Sequence, residues 1–103
     1  MLICYDINFE PPHLREAGID ILLYSIAWVD EPQSDWFTAR LPAIARENHL
    51  DIIGANWTFR RKPAWSGYGH SLILDDQGKT LAKVADDSRE EIIYAELPVV
   101  AAP

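Results

Sequence analysis

Residues 20–25 read DILLYS, with Ile21, Leu22, Leu23 and Tyr24 in an unbroken run between an aspartate and a serine. The run is too short for an amphipathic helix and shows no alternation. It predicts a strand covered on both faces, as in parallel sheets that lie between other layers. Leu50–Ala55 is a second run of the same kind. Between the two, Asp35 reads as the N-cap of a helix running to about Asn48, because Trp36, Phe37, Leu41, Ile44 and Ala45 recur at helical spacing. On the N-terminal side, Pro12 suits the first turn of a short helix over His13–Ala17, and Gly18 is a natural stop for it. Met1–Cys4 is a short apolar run that ends abruptly at polar residues, the pattern of a strand end. On the C-terminal side, Trp57–Gly69 reads as a long loop, and loops of that length in small domains are often functional. His70–Leu74 and Thr80–Ala85 flank the turn signal DDQGK and predict a hairpin. Glu91–Leu97 alternates enough to predict a last strand. Strand–helix–strand–helix–strand followed by a hairpin predicts an α/β sheet of mixed strand directions.

A chain of 103 residues holds one small domain with a real core. Its 49% hydrophobic and 24% charged residues are those of an ordinary globular protein. The formal net charge of −7 argues against nucleic acid and against an anionic membrane surface, both of which select for Lys and Arg. No apolar run approaches the ~20 residues of a membrane span. The single cysteine forms neither an internal disulfide nor a multi-thiolate metal site, so a cytoplasmic setting is the expectation. Asn56-Trp57-Thr58 fits the N-glycosylation pattern, which is meaningless in that setting.

Cys4 by position alone reads as a small packed hydrophobe beside Leu2 and Ile3. The alternative is a nucleophile presented where the strand ends. The motifs downstream of Cys4 favour the second reading. ICYD at residues 3–6 with Phe9-Glu10, then AGIDILLYSIAW, ARENHLDIIGANWT and GHSLILDDQGKTLA, appear in the order and approximate spacing of the nitrilase, or carbon–nitrogen hydrolase, superfamily. The chain resembles the C-terminal half of such a domain over nearly all of its length. The resemblance implies an α-β-β-α sandwich, incomplete here, with a mixed sheet and two main helices, residues 1–103 forming part of one domain. It also implies association into homo-oligomers and a catalytic Glu–Lys–Cys set. Cys4 falls on the nucleophile and Tyr5 on the residue whose backbone N–H helps hold the oxyanion. The family's glutamate base and lysine lie upstream of the cysteine, where this chain has only Met1, Leu2 and Ile3.

The chemistry suits these residue types. An amide or nitrile carbon is a poor electrophile, and a thioester intermediate divides one difficult hydrolysis into two easier steps. The resemblance implies no metal and no organic cofactor, with a small amide or nitrile as substrate. Glu10 stands one residue from the place of the family's accessory glutamate. Trp28 and Trp57 are candidates to line a substrate pocket, although tryptophans near strand ends also serve simply as packing. Arg60, with Arg61 and Lys62, forms the basic cluster of an acidic chain. It reads either as solvated surface or as a receptor for a substrate carboxylate. Asp6 reads as a brace for the turn, Glu47-Asn48 as a structural helix-end pair and His70 as structural. His13 and His49 have no metal-ligand spacing. Two other functions stay open at this level: a non-catalytic truncated chain that binds a partner, and acyl transfer to an amine through the same site.

Overall fold

The computed structural model describes residues 1–3, 11–26, 39–56, 69–85 and 91–98. Within them the strands β1 (Leu2–Ile3), β2 (Ile21–Ile26), β3 (Asp51–Asn56), β4 (Leu72–Leu74) and β5 (Thr80–Lys83) lie side by side in chain order. Helix α1 (Pro11–Glu16) connects β1 to β2, and α2 (Leu41–Asn48) connects β2 to β3. Each of these connections returns the chain to the same end of the sheet, so β1, β2 and β3 are parallel. β4 and β5 then reverse in turn and pair antiparallel. The sheet is mixed, as the order of sequence patterns predicts.

The pleat sorts the side chains. Leu22 and Tyr24 on β2, Ile52 on β3, and Leu72 and Leu74 on β4 turn to one face. There they meet Leu14 of α1 and Leu41, Ile44 and Ala45 of α2, with Leu50 closing the cluster. Burial of each large side chain here contributes about 1.5–3 kcal/mol. Gly54 occupies the middle of the Tyr24–Gly54–Leu72 row and leaves room for Leu41. The opposite face is also apolar but largely open. Leu23 is 48% and Ile3 57% exposed, whereas Ile73 near the middle of the sheet is buried. The strand expected to be covered on both faces is therefore covered on one.

Both helices end on the same motif. Gly18, at φ 66°, donates to the carbonyl of Arg15, and Ile19 donates back to Leu14. His49, at φ 53°, donates to Arg46, and Leu50 donates back to Ala45. These left-handed caps pair carbonyls that the helices would otherwise leave open. Asn48 adds a buried bond from its side-chain nitrogen to the Ile44 carbonyl at 2.9 Å, the structural role expected of it. Arg15 donates to the Glu47 carbonyl and ties α1 to the last turn of α2.

One expected element differs, and the expected helix start at Asp35 lies outside the described residues. The α-helix begins at Leu41, after a wider turn at residues 39–40, and its N-cap Arg40 makes no side-chain cap bond. Pro42 lacks the N–H that would continue a regular ladder backwards, so the α-hydrogen bonding starts there. Asp35, Trp36 and Phe37 lie outside the described residues. Residues 91–98 form no strand, and Ile92 and Tyr94 are 76% and 82% exposed. Alternation makes an extended chain, but a strand also needs a neighbour to complete its ladder. The hairpin is as predicted. Gly78 donates to the Asp75 carbonyl at 3.0 Å, and Asp75 Oδ1 accepts the N–H groups of Gln77 and Lys79. A register shift between Ile73 and Leu74 accommodates the turn.

Candidate active site

Three parallel strands finish at one edge of the sheet. Ile3 is in register with Ser25, and Ser25 with Ala55. The next row holds Ile26 and Asn56. In sequence, the residue after Ile3 is Cys4, the segment after Ile26 contains Trp28, and the residue after Asn56 is Trp57. Cys4, Tyr5, Glu10, Trp28, Trp57 and Arg60 themselves lie outside the described residues, as do Asp6, Arg61, Lys62 and Trp65. The described strands bring the starting points of their segments to neighbouring positions, the carboxyl ends at which open α/β sheets gather their ligands. In sequence, Glu10 immediately precedes α1.

The edge is held by residues that the sequence motifs did not single out. The Asn56 N–H donates to Ser71 Oγ at 2.8 Å, and the Ser71 hydroxyl lies 3.2 Å from the Asn56 carbonyl as its donor. Asn56 Nδ2 donates to the Gly69 carbonyl at 2.9 Å. The carbonyl of Ser71 in turn accepts the Val84 N–H. Gly69 and His70 both have positive φ, 69° and 60°, which bends the chain into position for these contacts. The signal in GHS was therefore the serine as much as the histidine. In the same way, Asn56, which the sequence marked only through a glycosylation pattern set aside as meaningless, uses its amide nitrogen in a bond within the sheet edge.

The other histidines make no site. His49 is the cap of α2, and His13 lies 3.9 Å from Glu16 in an exposed pair. Among the described residues no group of three His, Cys, Asp or Glu side chains could hold a metal ion. Among them, too, no helix is long and apolar enough to cross a membrane.

The carboxylates gather at the opposite end of the sheet. Asp51 is buried at the start of β3, and its pKa is raised above the ordinary carboxylate value, first by desolvation and then by the charge of Asp76. Asp75 and Asp20 add to the rise, while a hydrogen bond from the Asp76 backbone opposes it.

The family model for carbon–nitrogen hydrolases matches residues 1–102. The chain belongs to that family. Among its relatives, the 2-oxoglutaramate amidase of Bacillus subtilis is 38% identical over 100 residues, covering 93% of this chain and 36% of the relative. In the solved structure of the Caenorhabditis elegans NitFhit protein, a match with TM-score 0.73 and 30% identity covers 84% of this chain and 21% of that one. An amidase of the nitrilase superfamily from Nesterenkonia sp. AN1 matches with TM-score 0.69 and 26% identity, covering 81% of this chain and 32% of that one. In a glutamate-to-glutamine variant of that amidase, the acetamide moiety of fluoroacetamide is added covalently at the active site cysteine. The mixed sheet with its two helices is thus part of a nitrilase-type α/β fold. This carbon–nitrogen hydrolase chain spans about a third of the length of such relatives.

Proposed function

We propose that this chain is the nucleophile-bearing portion of a carbon–nitrogen hydrolase that cleaves small amides through a thioester on Cys4. What supports the reading is that the single cysteine follows directly in sequence on β1, whose end is in register with those of β2 and β3, in a chain of this family. The covalent adduct on the Nesterenkonia amidase, an alkylation of its active site cysteine, supports a nucleophilic role for the matching thiol. In that amidase the altered glutamate lies about one hundred residues before the altered cysteine. With Cys4 in the matching role, the counterpart of that glutamate serves as the base.

In the reaction, the Cys4 thiolate attacks the amide carbon, and the carbonyl oxygen takes up negative charge that the Tyr5 backbone N–H stabilises. The carbon–nitrogen bond breaks, the amine leaves with a proton from the acid form of the base, and a thioester remains. A water molecule, deprotonated by the same base, then attacks the thioester, releasing the carboxylic acid and regenerating the thiol. Trp28 and Trp57 flank the substrate, Glu10 helps to position it, and Arg60 meets a carboxylate where the substrate has one. The 2-oxoglutaramate in the name of the Bacillus subtilis relative is an amide of that type. A free thiol as nucleophile fits a reducing, cytoplasmic setting.

The test uses the complete protein. Incubation with fluoroacetamide gives an adduct that peptide mass spectrometry locates on Cys4, and Cys4→Ala loses both the adduct and amide turnover. Turnover that survives in Cys4→Ala makes the cysteine a packing residue and ends this reading.

A further inference from the structure

We infer that Asn56 and Ser71 are positioning residues for substrate binding, forming a clamp that fixes the point where the chain leaves β3 and the point where it returns to β4. The inference rests on the hydrolase reading of Cys4, but its geometry is independent of it. The chain leaves the sheet at Asn56 and rejoins it through Gly69 and Ser71, and three hydrogen bonds join these points directly. Two of them form a reciprocal pair between the Asn56 backbone and a single hydroxyl. That pair continues the β3–β4 ladder one step beyond Gly54–Leu72, its last backbone pair. The Ser71 carbonyl accepts the Val84 N–H next to β5. One serine therefore ties three strand ends together.

The level of the clamp connects it to the reaction. Asn56 stands in the row directly after Ile3–Ser25–Ala55, and the nucleophile is the residue directly after Ile3. Neighbouring strands are ~4.8 Å apart, so the ends of β1 and β3 are separated by about 10 Å, the span of a small amide with its flanking groups. Trp57, proposed to contact the substrate, is bonded covalently to Asn56. A hydroxyl lost from Ser71 leaves the Asn56 N–H and carbonyl without this partner at a half-buried edge. The end of β3 then loosens relative to β1, and substrate binding weakens while the thiol's own reactivity does not.

The experiment compares Ser71→Ala, Asn56→Ala, the double variant and Ser71→Thr in the complete protein, each checked for a native thermal melt. Expected are a KM for amide substrate raised about tenfold in either alanine variant, the scale of one hydrogen bond, and kcat within about threefold. The rate of Cys4 alkylation by iodoacetamide should be unchanged, and Ser71→Thr should restore KM. The double variant should fall short of the sum of the singles, because Asn56→Ala removes the bond to Gly69 and Ser71→Ala the two bonds to the Asn56 backbone at one and the same strand end. Unchanged KM in folded alanine variants overturns the inference. So does a parallel fall in kcat and alkylation, or a strictly additive double variant. Amide exchange at Asn56 reads the clamp without reference to activity. Faster exchange in Ser71→Ala supports it, and unchanged exchange overturns it even in a protein that shows no turnover. Failure of the hydrolase reading is recognised separately, by turnover that persists in Cys4→Ala.

Discussion

Asp51 begins β3 with its carboxylate buried beside Asp76, Asp75 and Asp20, and its pKa is raised by that burial and by those charges. The folded protein therefore binds this proton more tightly than the unfolded chain does. Between the unfolded value of 3.8 and the higher folded value, the native state holds more protons, so stability falls as pH rises through that window. Above the window the full cost of the buried charge is present. Asp51→Asn removes the charge and keeps an oxygen to accept the Asp76 backbone bond. Its melting temperature should exceed that of the parent at pH 7, and the gain should shrink as the pH is lowered towards 4. A gain that stays constant over that range would show that the charge is not the cause. At this scale, the sequence puts Cys4 forward through motif context, at a position outside the described residues. It missed the roles of Asn56 and Ser71, because their bonds depend on how β3 and β4 align across a separation of fifteen positions. Local spacing does not encode that alignment.

Among the elements, two glycines separate backbone strain from crowding. Gly18 has φ 66° and nothing near the place a Cβ would occupy. Gly78 has φ 78°, and a Cβ there would meet the Pro42 carbonyl at 2.7 Å and Arg46 Nη1 at 2.9 Å. Gly18→Ala should cost about 1 kcal/mol, the left-handed penalty alone. Gly78→Ala should cost about 2–4 kcal/mol, because the turn must also move away from α2. Urea denaturation of both variants checks the difference, and equal losses would remove the contact between turn and helix from the account. The runs DILLYS and Leu50–Ala55 gave their strands to within a residue, and Gly18 gave its cap. His49 was harder to read, since a non-glycine cap has no compositional mark. The 91–97 segment shows the limit of alternation, which describes one chain while a strand requires two.

For the whole molecule, the balance between the two faces of the sheet matters most. One face is sealed by α1 and α2, and the other leaves Ile3, Ile21 and Leu23 substantially exposed. An uncovered apolar sheet face beside a two-residue edge strand favours association. The isolated 103-residue chain should therefore sediment as oligomers or aggregates. Leu23→Lys should shift it towards monomer with little change in melting temperature, because that side chain is already half in water. A monodisperse monomer for the parent chain would show that this face needs no cover. The mixed sheet was legible from the order of the patterns. The open face was not, since a continuous apolar run signals two coverable faces without saying what covers the second.

The antiparallel return of β4 also fixes where one group of charges lies. It carries the Asp75–Lys79 turn to the end of the sheet where Asp20 and Asp51 lie. A six-residue strand such as β3 is about 20 Å long. The screening length at physiological salt is about 8 Å. An anion approaching the carboxyl edge is thus shielded from the carboxylates at the far end, and encounter there follows the local field. The acidity gathered at that far end therefore sets little diffusional penalty at the carboxyl edge.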